Sequence, residues 1–159
     1  MPAAIRSLCL SAQEAFPQII YHELLEKIGD IGCTPCDIGI EKATGDVVFF
    51  IGDDDICTEQ AFDIIRTGIK NDLTVPHVFA MLHTGHRLAG TIEVGRVSGQ
   101  QIVVPRDMSK MPKMAACPSK DLQVSDAVFI TAVVSSWGTV KFHDGIIAIL
   151  DRQNHGRTP

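Results

Sequence analysis

The sequence predicts an α+β fold: a split β-α-β-β-α-β (ferredoxin-like) layer over residues 4–84, a β-rich segment over 85–153 that shares its core or packs on it, and a frayed tail at 154–159. Three observations point there. Thirteen glycines, eight prolines and repeated Val and Ile runs favour strands and turns over a helical bundle. Two segments of the first half carry apolar residues at three- and four-residue spacing, with alternating or continuously apolar stretches around them. From residue 88 onward the chain shows five strand-like stretches and no long helical period.

The first half is justified element by element. Residues 4–10 alternate loosely as a first strand, and Ser11 with Glu14 has the spacing of a capping box for the helix that follows. In that helix Ala12, Ala15, Phe16, Ile19, Ile20, Leu24 and Ile28 share one face; Pro17 kinks it or begins it, and Gly29 and Gly32 stop it. Residues 38–42 and 47–51 read as a hairpin about Thr44-Gly45-Asp46. The run Val47-Val48-Phe49-Phe50-Ile51 suits a strand buried on both faces. Ile56, Ala61, Phe62, Ile64, Ile65 and Ile69 make the inner face of a second helix, and residues 75–82 close the unit as a strand.

In the second half, residues 88–94, 101–104, 126–134, 139–142 and 146–150 read as strands, with Asp144-Gly145 as a hairpin turn between the last two. Residues 105–124 form a loop long enough to suggest a function.

Composition narrows the function classes. A net charge of −5 offers no general attraction to phosphate backbones or anionic lipid, so neither nucleic acid nor membrane is expected as a partner. No apolar run approaches the length of a membrane span, and polar breaks interrupt the first sixteen residues where a signal peptide would stay apolar. The five cysteines lack the density of a secreted disulfide scaffold, so a cytoplasmic protein with reduced thiols is expected.

Cys33-Thr34-Pro35-Cys36 has the C-x-P-C form of a redox site, but here it follows one helix and leads into a predicted strand, which removes the helix dipole that would activate a thiol. A two-Cys, two-His set of Cys33, Cys36, His83 and His86 has the ligands for a tetrahedral zinc ion if the fold brings them together. His77, His83 and His86 equally suit the capping of strand ends; His143 is expected to be exposed. Asp53, Asp54 and Asp55 suit either a hard divalent cation or the capping of the helix behind them, and three carboxylates oppose an incoming phosphate.

A ligand site is expected at His83, His86 and Arg87, with the methionine-rich basic loop bearing Met108, Lys110, Met111, Lys113 and Met114 as a lid. Lys110 and Lys113 are its ligand-facing cations. No serine-nucleophile elbow is present.

Residues 41–65, EKATGDVVFFIGDDDICTEQAFDII, resemble the central part of the bacterial microcompartment shell-protein domain. In that family a strand ending in Glu-Lys precedes an apolar strand and then Gly-Asp-Val opening a helix; Asp55-Ile56 stands at the Asp-Val place. The resemblance extends in element order over residues 4–84. The connection around Cys33–Cys36 is longer than the family's, Lys27 aligns with its helix lysine only through that insertion, and Asp53 replaces its loop arginine. The resemblance implies a homo-oligomer of structural role, in this case a closed ring.

Two functions follow. One is a non-catalytic, self-associating scaffold or shell-like assembly that gates or binds small metabolites. The other is a small enzyme or ligand-binding protein with a pocket between the two halves, metal-dependent if the Cys and His residues meet.

Overall fold

The computed structural model describes residues 3–24, 30, 32–52, 55–116 and 122–150. Its elements are α1 (Ala3–Ala15), α2 (Cys33–Lys42), β1 (Val47–Phe49), β2 (Asp55–Cys57), α3 (Ala61–Ile69), β3 (His77–His83), β4 (His86–Leu88), β5 (Ile102–Pro105), α4 (Leu122–Trp137) and β6 (Lys141–Leu150), with 3-10 turns at Gly99–Gln101 and Met114–Ala116. They build one mixed sheet in the order β1-β5-β3-β6-β2, with β4 also on β3. The pair β3–β6 is parallel and the other pairs are antiparallel.

The chain is therefore mixed α and β, but the split ferredoxin-like order is not what folds. Residues 4–10 lie in a helix, since the good helix formers Ala4, Arg6, Leu8 and Leu10 outweigh the loose alternation there. Residues 38–42 belong to α2, so no hairpin precedes β1. Asp30 begins this helix by accepting the Thr34 amide at 2.8 Å, and Pro35 sits in the first turn, where its missing N–H costs no helical bond. The strand ending in Glu41-Lys42 that the shell-protein resemblance implies is thus the last turn of a helix. Residues 126–134 also form helix rather than strand. The expected tail at 154–159 lies outside the described residues.

Helices cover both faces of the sheet. Ala61, Ile65 and Ile69 of α3 pack with Phe79, Val103 and Ile147 on one face. Phe129, Ile130 and Val133 of α4, with Cys33 of α2, pack with Val78, Ile102 and Val104 on the other. Alternation along β3 and β5 distributes these side chains, because successive residues of a strand point to opposite faces. In α3, Ala61, Ile65 and Ile69 are buried as expected, whereas Phe62 is exposed and Ile56 lies in β2 with its side chain in solvent. Central β3 comes from the first half of the chain and its neighbours β5 and β6 from the second, so the two halves share one sheet.

Residues 139–142 and 146–150 do not form a hairpin. Lys141–Leu150 is one strand that uses ten residues against the seven of β3, and its register shifts after Val78. Asp144-Gly145 lies in the resulting bulge instead of a turn. Glycine is required at 145 because α3 approaches there: a Cβ would stand 2.4 Å from Ile64 Cγ2, a stiff β-branched position. Gly145→Ala should lower unfolding free energy by about 1–3 kcal/mol, the usual cost of overpacking, as read by urea denaturation.

Strands β1 and β2 occupy opposite ends of the strand order. In a flat sheet four strand spacings would hold them about 19 Å apart, and the six steps from Phe49 to Asp55 reach roughly 20 Å only when fully extended. The link is not extended, since the Asp55 amide donates to the Gly52 carbonyl at 3.3 Å. The sheet is accordingly curled.

Candidate functional site

The link from β1 to β2 carries the acidic run. Phe50 leads into it and meets Phe129 of α4 edge-to-face, with ring centroids 5.7 Å apart. Asp55 closes it: its Oδ2 accepts the Gly52 amide at 3.0 Å. Beyond β2, Thr58 ties the approach to α3 onto β6, its amide and hydroxyl donating to the carbonyls of Ile147 and Ile146 at 3.1 and 2.9 Å. Packing behind and hydrogen bonds ahead thus hold both ends of the acidic segment. Asp53 and Asp54 themselves lie outside the described residues.

The expected metal set does not assemble. Cys33 and Cys36 lie on α2, with Cys33 in the core against α4; His83 and His86 face each other across the β3–β4 hairpin. Among the described residues no three His, Cys, Asp or Glu side chains gather to hold a metal ion. The C-x-P-C segment does occupy a helix N-terminus, contrary to the sequence expectation. Activation of Cys36 nevertheless fails, because burial, then the neighbouring Cys33 and carboxylates, push its thiol up to about 11.

The expected ligand cations are engaged elsewhere. Arg87 donates to the Asp144 carboxylate at 2.6 Å and to the Asp144 carbonyl at 3.1 Å, tying the hairpin to the β6 bulge. Lys110 stands 5.8 Å from the Trp137 ring centroid, and Lys113 lies 3.8 Å from Glu41. The methionine-rich loop is anchored: Asp37 accepts the amides of Met114 and Ala115 at 2.7 and 3.0 Å, and Met111 and Met114 pack into the core. Met108 stays exposed.

Sequence reasoning missed two polar groupings. Asp126 of α4 accepts the Ser98 hydroxyl at 2.9 Å and the Gly99 amide at 3.1 Å; burial raises its pKa while these bonds oppose the rise. His77 and His143, expected at a strand end and in solvent, bond to each other at 2.8 Å, with His77 fully buried. A helical period through Phe129, Ile130, Val133 and Trp137 was the available signal for Asp126. The histidine pair left none, since its members are 66 residues apart.

Clefts open on the surface among the described residues. One, of about 350 Å³, runs beside α2 and is lined by Gln18, Ile20, His22, Pro35, Lys42 and Thr44 among others. Another, of about 390 Å³, lies between α3 and the β6 bulge, beside Thr67 and His143. Neither is lined by His83, His86, Lys110 or Lys113. Among the described residues no helix is long and apolar enough to cross a membrane.

No family model matches the chain, and no curated protein matches it. Solved structures do. The chain is similar to S. aureus TarS, with a TM-score of 0.63 and 13% identity over 89% of this chain and 28% of that one. It is likewise similar to S. aureus TarS 1-349, with a TM-score of 0.61 and 13% identity over 89% of this chain and 47% of that one. The chain spans less than half the length of either structure, and at this identity the likeness establishes a shared fold.

Proposed function

We propose that the chain is part of a glycosyltransferase-type catalytic domain whose acidic run, Asp53, Asp54 and Asp55, binds the diphosphate of a sugar nucleotide through a divalent cation. The observation that carries this reading is the fold likeness to TarS, a glycosyltransferase, over nearly nine-tenths of the chain. The acidic run supports it chemically. Three carboxylates alone repel a phosphate, but a hard cation bound to them reverses the local charge. Such a cation, when bound, would neutralise negative charge on a departing nucleoside diphosphate. Asp55 sets the shape of the loop through Gly52, which leaves Asp53 and Asp54 as the better probes of cation binding.

The test is calorimetric titration of the purified chain with UDP, GDP and ADP, with and without Mn²⁺. One of the three should bind only with Mn²⁺, and Asp54→Asn should weaken that binding at least about tenfold, or 1.4 kcal/mol. Metal-independent binding, or none with Mn²⁺, would overturn the reading.

The self-associating reading is favoured by a different observation. Ile5, Leu8 and Leu10 on α1, and Phe16, Ile19 and Ile20 just after it, expose apolar side chains that a second copy would cover. Sedimentation at micromolar concentration would then give an oligomer, and a stable monomer would remove that reading.

A further inference from the structure

His77, which is buried, and His143, half-buried beside the cleft at α3, form a chain of hydrogen bonds whose proton positions follow from its ends. The Asp72 carbonyl can only accept, so His77 Nε2, 2.7 Å away, carries a hydrogen. In the neutral ring His77 Nδ1 is then the acceptor, and His143 Nε2, 2.8 Å away, donates to it. His143 stacks on Phe79 with centroids 4.5 Å apart at 15°. The chain joins the turn before β3, β3 itself and the bulge of β6.

We propose that this histidine pair is an acid-released clasp holding the first residues of β6 against β3 and the 70–76 turn. With both rings neutral every inner nitrogen is matched. A first proton is accommodated as an imidazole–imidazolium pair, at the cost of a buried charge; a second sets two donors face to face.

The charged surroundings agree. Burial first, then Lys141 and, for His143, His77, disfavour the protonated rings; the Asp72 carbonyl and carboxylate favour it at His77, and the lowered pKa of both rings gives the balance. The Asp72 carboxylate is itself engaged by Lys141 at 2.6 Å. On the cleft side, Asp63 from α3 and Asp144 from the bulge are exposed and paired with Arg66 and Arg87. The sign follows: a folded-state pKa below the unfolded value stabilises above about pH 6.5 and loses that stability as pH falls through the lowered values.

Hydrogen exchange of the amides at 141–146, corrected for intrinsic rates, tests this between about pH 7.5 and 5. The opening constant in the wild-type chain should rise on acidification, approaching a hundredfold per pH unit as two protons become linked to opening. His143→Gln, which keeps a neutral donor, should rise no more than about tenfold per unit. On the wild-type chain alone, imidazole ¹⁵N spectra should show hydrogen on Nε2 of both rings and titration below the ordinary histidine value. A pH-independent opening constant, or both rings titrating as free histidines, would overturn the clasp.

Discussion

Phe129→Ala lowers the unfolding free energy by about 3–5 kcal/mol, the range for truncating a buried phenylalanine. Phe129 has no exposed surface and lies within the cluster of Val78, Ile102, Val104, Ile130 and Val133 that joins α4 to its face of the sheet. Its ring also meets Phe50, the residue that leads from β1 into the acidic link. The cavity therefore opens directly behind that link. Urea denaturation measures the stability loss, and a change below about 1 kcal/mol would show that α4 repacks freely. Because Phe50 loses its edge-to-face partner, the Mn²⁺-dependent nucleotide binding proposed above should weaken in the folded variant as well.

Gln101→Leu costs about 2–4 kcal/mol although it preserves an apolar volume at the same place, because the loss is in hydrogen bonding. Gln101 is wholly buried, and its Nε2 donates to the carbonyls of Phe79 at 2.9 Å and Leu88 at 3.2 Å. Its Oε1 accepts the Ser98 amide at 2.9 Å. One side chain thus satisfies main-chain groups from β3, β4 and the 3-10 turn, and leucine satisfies none. Gln101→Glu separates shape from hydrogen bonding. It keeps the acceptor for Ser98 but sets an ionised oxygen against two carbonyls, so it should be at least as destabilising near neutrality and should recover part of the loss as pH falls and the carboxyl protonates. A Glu variant as stable as wild type at neutral pH would contradict this account.

The legible parts of the fold were those whose signal is local. The strand at β1, the face Ala61, Ile65, Ile69 of α3 and the apolar stretches of β3 and β5 occur where the sequence places them, but of the run 47–51 only Val48 is buried and Ile51 is exposed, since β1 ends the strand order. Errors came where a local preference met a stronger tertiary demand. Val128, Phe129, Ile130, Val133 and Val134 favour a strand, yet α4 is a helix because Phe129, Ile130 and Val133 then face the sheet together. Asp144-Gly145 looks like a turn, yet the glycine answers to Ile64 on a helix some eighty residues earlier. The candidate ligands fared similarly: Arg87, Lys110 and Lys113 were visible as cations, but their partners Asp144, Trp137 and Glu41 were not.

By itself the sequence determined the mixed α and β content, the inward face of α3 and the presence of three consecutive carboxylates behind an apolar strand. Periodicity and residue chemistry carry that information within a few neighbouring residues. Only the tertiary structure decided that β3 and β6 pair in parallel, that helices cover both faces, that Cys33 and Cys36 stay apart from His83 and His86, and that His77 meets His143. Those outcomes depend on which distant segments bury one another's apolar faces and complete one another's hydrogen bonds, a choice made by the free energy of the whole chain.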